Sequence, residues 1–238
     1  MCQCNESPDL DENYPAKLQV TVTYTITEDN EIVLEYHAKI DPSSRLYTIV
    51  NLTNHTYFNL SGCSNEESSK ILDHYLLFSE NSNLLGVLDK DDELVPNGNI
   101  TKLDSPIGQP FNFFKEATIG SKIDAAGGFD HAFIFHSQQV DWRKDILSVW
   151  SPATKIALTM SSTEPSFQFY TGEFLFESLM SKKSQGDGKV RLGKRSAFCL
   201  EAQRYPDAIN HEEWKRMVIL HPEEEYQHKT VYQFKLQN

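Results

Sequence analysis

Leu18-Gln19-Val20-Thr21-Val22-Thr23-Tyr24-Thr25-Ile26 alternates apolar and polar side chains without a break. Successive side chains of an extended chain point to opposite faces, so this run predicts a strand with one buried and one wet face. Its β-branched and aromatic content points the same way. Glu28-Asp29-Asn30 supplies a turn, after which Ile32, Leu34, Tyr36, Ala38 and Ile40 resume the alternation. The two runs predict an antiparallel hairpin. A second turn, Asp41-Pro42-Ser43-Ser44, leads to a third strand over residues 46–52.

The same reading continues down the chain. Short strands are expected over residues 73–78, 83–88, 146–150, 156–160, 167–170, 197–201 and 231–236. Between them, Asp89-Lys90-Asp91-Asp92-Glu93 reads as a solvated charge run, Pro96-Asn97-Gly98 as a turn and residues 184–189 as a Gly-rich loop. Almost no segment has a helical period. Many short strands without repeats or a dividing linker predict an all-β chain, a large antiparallel β-sandwich or a barrel. Residues 1–238 form one domain in this reading, with 1–13 a polar tail or truncated edge.

Of the 238 residues, 39 % are hydrophobic and 24 % charged, enough apolar material for a substantial core. The formal net charge of −12 repels nucleic acid and anionic membrane, so neither is expected as a partner. A neutral small molecule suits that field better. The four cysteines, Cys2, Cys4, Cys63 and Cys199, have no metal-binding or disulfide-framework spacing. With no signal peptide and no membrane-length apolar run, a cytoplasmic, reducing location is expected. Gly127-Gly128 lacks the pattern of a nucleotide-binding loop. The sequence does not set an oligomeric state.

Asn51-Leu52-Thr53-Asn54-His55-Thr56-Tyr57-Phe58-Asn59-Leu60 continues the third strand and is unusually rich in hydrogen-bonding groups. Burying such groups without partners costs a few kcal/mol each, roughly, so the stretch suggests a polar wall facing a ligand. Glu201 ends a very apolar run, and Asp130 follows two glycines. A carboxylate beside an apolar strand is tuned upward toward general-base duty, and a histidine is its natural acid partner. Structural roles stand beside these. His55 can be a satisfied core histidine, Glu201 a strand cap or a partner of Arg204, and Asp130 a turn residue. His131, next to Asp130, should point to the opposite face. Phe169 and Tyr170 fit either a core or an aromatic cover for a ligand. His37, His74, His136, His211, His221 and His228 default to surface or packing roles.

Five segments in register carry a resemblance to the aldose 1-epimerases, or galactose mutarotases. They are Ser7-Pro8-Asp9 with Asn13-Tyr14-Pro15; residues 51–62; Gly128-Phe129-Asp130-His131; Glu164-Pro165 with residues 167–172; and residues 198–208. The departures are Ala16 for a glycine, Phe129 for a tyrosine and Ala132 for an asparagine. The resemblance implies a galactose mutarotase-like supersandwich that interconverts the α and β anomers of free hexoses such as galactose or glucose. It implies Glu201 as base, His55 as acid, Asp130 and Gln168 as sugar-hydroxyl binders, and no metal or other cofactor. Asn51, Asn54 and Thr56 become the network holding His55. The preceding strands of full-length members, with a second histidine and further sugar contacts, have no counterpart here, so the fold is expected to be N-terminally truncated. Two alternatives accompany the mutarotase reading. One is a sugar-binding protein that keeps the motifs without turnover. The other is a hexose-6-phosphate epimerase, which calls for an arginine cluster that this sequence lacks.

Overall fold

A computed structural model describes the chain except residues 81, 92, 136–142, 177 and 238; His136 and Asp92 therefore lie outside the described residues. Among those described, two antiparallel sheets dominate. The larger has eight strands, in the order Cys2–Ser7, Leu18–Ile26, Glu31–Ile40, Glu225–Leu236, Ile156–Ser162, Leu147–Trp150, Tyr75–Phe78 and Ala117–Thr118. The second has five, in the order Cys199–Gln203, Ser166–Tyr170, Asp130–Phe135, Leu84–Lys90 and Pro96–Lys102. The all-β expectation holds: the sheets meet face to face as a sandwich.

Alternation explains the packing. In Glu31–Ile40, Leu34, Tyr36, Ala38 and Ile40 are buried while His37 and Lys39 are exposed. The opening hairpin pairs Leu18 with Ile40 and Ile26 with Ile32. Between the sheets lies a phenylalanine-rich core. Phe78 of the larger sheet meets Phe133 of the smaller with ring centroids 5.3 Å apart, and Phe133 stacks on Phe167 at 5.2 Å. All three are essentially inaccessible. Each such ring contributes roughly 1.5–3 kcal/mol by leaving water.

Several local expectations need correction. Of the tail or truncated edge expected over residues 1–13, Cys2–Ser7 is an edge strand and no loose tail; it pairs with Leu18–Ile26, Cys2 opposite Thr23 and Ser7 opposite Leu18. Residues 46–52 supply only the two-residue strand Thr48–Ile49, paired with Ile219–Leu220. Residues 51–60 are irregular apart from a bridge between Phe58 and Phe198, because their backbone and side chains bond to other elements instead of one neighbouring strand. Pro96-Asn97-Gly98 opens an edge strand, Pro96–Lys102, where proline's missing N–H costs little. The closing strand is longer than its apolar pattern, Glu225–Leu236, since its inward positions include His228 and Thr230. Residues 186–188 of the Gly-rich loop make a 3-10 turn.

Candidate functional site

Three strands of the smaller sheet place the polar side chains by register alone. Gln168 lies opposite Glu201 on one side and Ala132 on the other, while Tyr170 lies opposite Cys199 and Asp130. Directly paired residues share a face, so Glu201, Gln168 and Asp130 converge on one surface. The intervening residues, Phe169, Leu200 and His131, face the core or its margin. His131 stacks against Phe111 at 4.6 Å and accepts the Asp130 N–H at Nδ1. Burial, followed by the nearby Lys90 cation, pushes its pKa down to about 4, so it is neutral. Phe169 is core, whereas Tyr170 edges the polar surface.

That surface lines a cavity of about 430 Å³ into which His55, Asp130, Gln168 and Glu201 all project. Its size falls in the usual small-molecule range of about 300–1,000 Å³. Gln168 Nε2 donates a 2.6 Å hydrogen bond to Asp130 Oδ1. His55 Nε2 stands 3.9 Å from Glu201 Oε1. The Glu201 side chain is only 11 % exposed but the His55 ring is 53 % exposed, so the carboxylate is the desolvated partner. Loss of hydration raises the Glu201 pKa to about 7, and the negative charge of Asp130 adds to the rise. The His55 ring stacks on Tyr57 at 4.9 Å and meets the edge of Tyr170 at 6.0 Å.

His55 is carried by the irregular stretch, and the larger sheet fixes that stretch from behind. Asn51 exchanges two hydrogen bonds with the Arg204 backbone, at 3.1 and 2.9 Å. The Leu52 N–H donates to the Tyr226 hydroxyl, and His228 Nδ1 donates to the Leu52 carbonyl. Asn54 Nδ2 donates to the Tyr232 hydroxyl at 2.8 Å, and its Oδ1 accepts the Thr56 N–H. Thus Asn51 and Asn54 act as expected, while Thr56 takes part through its backbone. Phe58 and Phe198 exchange backbone hydrogen bonds at 2.8 and 2.9 Å, tying the stretch to the residue just before the Glu201 strand.

Other residues depart from the sequence reading. Lys90 is no solvated member of a charge run. Its Nζ donates to the Asp130 carbonyl and lies 3.6 Å from Asp130 Oδ2, with the side chain 15 % exposed. Period two carried on from Leu88 was the available signal. Tyr57, within residues 51–60, and Phe174 also line the cavity; Phe174 carries no sequence mark beyond being aromatic. Arg204 pairs with Glu164, Nε to Oε2 at 3.7 Å, and lies over the Tyr226 ring; it does not pair with Glu201. Glu164 is buried with no hydrogen bond to Oε2, and desolvation outweighs the Arg204 charge to raise its pKa to about 7. His74 is fully buried, its Nε2 accepting the Leu60 N–H.

A carboxyl group tuned near neutrality, facing an imidazole across a small polar cavity, is equipped for paired proton transfer. Comparison with known proteins bears on which chemistry such a pair would serve. Residues 3–233 match the aldose 1-epimerase family model. The galactose mutarotase of Rattus norvegicus is 36 % identical over 230 residues, covering 96 % of this chain and 60 % of that protein. The aldose 1-epimerase of Escherichia coli K12 is 33 % identical over 235 residues, covering 96 % of this chain and 62 % of that protein. The chain therefore spans about three-fifths of the length of these relatives. Among solved structures, a GalM/aldose epimerase homologue from C. elegans superposes with a TM-score of 0.82 at 22 % identity, over 100 % of this chain and 66 % of the other. Galactose 1-epimerase from Lactobacillus acidophilus NCFM gives 0.74 at 21 % identity, over 100 % and 63 %. These two likenesses concern the fold, and they agree with the sandwich described above.

Proposed function

The chain belongs to the aldose 1-epimerase family, and on that premise we propose that it interconverts the α and β anomers of a free hexose such as galactose or glucose. Glu201, as the carboxylate, takes the proton of the C1 hydroxyl. The O1 electron pair forms the carbonyl, the bond from C1 to the ring oxygen breaks, and His55 delivers a proton to that oxygen. Rotation about C1–C2 presents the other carbonyl face. Reclosure reverses both transfers. Asp130 and Gln168, already bonded to each other, hold sugar hydroxyls, and Tyr170 offers an aromatic edge.

The observation that carries this reading is the 3.9 Å approach of His55 to a desolvated Glu201 on the wall of a single cavity. The cavity lining contains no arginine among the described residues, and its one lysine, Lys90, is engaged with Asp130. That favours a neutral sugar over a phosphorylated one. A cytoplasmic setting belongs to the same proposal, supported by four free thiols; no described helix is long and apolar enough to cross a membrane.

Polarimetry on freshly dissolved α-galactose tests the proposal. Acceleration of the optical change above the buffer rate is expected. A rate equal to buffer at high protein concentration would reject turnover. A second reading, sugar binding without catalysis, draws on the exposed His55 ring, since a half-open acid is poorly shielded from water. It requires saturable galactose binding together with a buffer-level rate.

A further inference from the structure

Cys199 has no part in the proton transfers, yet it sits beside them. It shares a strand face with Glu201 and lies opposite Tyr170. Ligand atoms of His55, Cys199 and Glu201 all lie within 4.8 Å of one another. We propose that these three residues form a binding site for a soft divalent cation of the Zn²⁺ class. Imidazole nitrogen, thiolate sulfur and carboxylate oxygen are the three donor types that zinc prefers, and three protein ligands leave its fourth position open toward the cavity.

Distances and charge both fit. Zinc bonds of about 2.0–2.3 Å in a tetrahedron set neighbouring donors roughly 3.3–3.7 Å apart. His55 Nε2 and Glu201 Oε1, at 3.9 Å, are already near that spacing. All three sets of ligand atoms lie within 4.8 Å of one another, so small side-chain rotations complete the tetrahedral spacing. The Cys199 thiol loses its proton to solvent as the sulfur–metal bond forms. His55 enters neutral and Glu201 ionised, so two anions balance the dication and the buried assembly carries no net charge. The overall charge of −12 raises the local cation concentration. If the acid–base reading above holds, on which this one consequence rests, a bound cation occupies the lone pair and the carboxylate that turnover needs, and acts as a reversible stop.

The test reads the metal and needs no sugar. Cys2 and Cys4 are exposed with their sulfurs 3.9 Å apart and would compete, so the titration uses the Cys2→Ser/Cys4→Ser protein. Co²⁺ is added and the thiolate-to-cobalt charge-transfer absorption followed. One equivalent per chain should develop the band, and Zn²⁺ should displace it. Cys199→Ser should abolish the band. His55→Gln, altering an exposed side chain that leaves the fold intact, should weaken binding by roughly 10-fold or more. Absence of a band in excess Co²⁺ overturns the site, as does a band that survives Cys199→Ser or an affinity indifferent to His55→Gln. None of these outcomes depends on the polarimetry result.

Discussion

Asn54 donates a 2.8 Å hydrogen bond to the Tyr232 hydroxyl, which in turn donates to the Leu200 carbonyl at 2.5 Å. One buried phenol on the larger sheet thereby locks the residue before His55 to the residue before Glu201. The spacing of the proposed acid and base is set from beneath the cavity, by a group that touches neither.

Tyr232→Phe should strand the Asn54 amide and reduce satisfaction of the Leu200 carbonyl in a dry environment. A destabilisation of about 1–3 kcal/mol is expected from urea unfolding. Anomer exchange should fall further than the folded fraction does, because His55 loses its anchor. A variant with native stability and native rate would remove Tyr232 from this role.

Glu201→Gln should lower the polarimetric rate by roughly 10²–10⁴. In the unaltered protein the rate should fall as pH drops through about 7, where Glu201 gains its proton. Asp130→Asn removes a negative neighbour that raises Glu201, so the acid limb should move to lower pH. A limb that stays in place in that variant would assign it to another group.

Gln168→Ala deletes the 2.6 Å partner of Asp130 and a hydroxyl-facing amide. KM for galactose should rise roughly 10-fold with a smaller change in kcat. A fall in kcat at constant KM would place Gln168 in the transition state instead.

Glu164 gives a stability prediction away from the cavity. Its carboxyl keeps its proton to about pH 7 in the folded chain and loses it near 4.5 when unfolded. Between those values the folded state binds more protons, so this group's contribution is present at low pH and is lost as pH rises through 7. Glu164→Gln should therefore gain roughly 1–3 kcal/mol relative to the unaltered protein between pH 4.5 and 8. His131 and His228, both buried and held near 4, act in the opposite sense in both proteins and cancel in the comparison. A difference independent of pH would show that Arg204 keeps Glu164 ionised.

Regular alternation made the hairpin of Leu18–Ile26 with Glu31–Ile40 legible, because one buried face per strand leaves a period of two. Glu201 was legible as a carboxylate ending an apolar run, and Gln168 through the resemblance carried by residues 167–172. Residues 51–60 were legible as a candidate site but not as a shape. Their hydrogen bonds run to Arg204, Tyr226, His228 and Tyr232, more than 150 positions away in sequence, and local pattern holds no trace of such partners. Lys90 was hidden for a related reason. Five consecutive charged residues look alike until the strand's pleat turns one of them inward.

The Asn54–Tyr232 bond spans 178 positions, and the strand that carries Tyr232 sits between Glu31–Ile40 and Ile156–Ser162 in the middle of the larger sheet. A nascent chain on the ribosome cannot join its opening hairpin to the rest of that sheet until this strand has emerged. Everything synthesised earlier waits with two sheet edges open, exposed to mispairing and in need of chaperone cover. The same delay keeps the His55–Glu201 pair unassembled until synthesis has passed Tyr232, so chains released short of that point would lack the candidate site as well as part of the sheet.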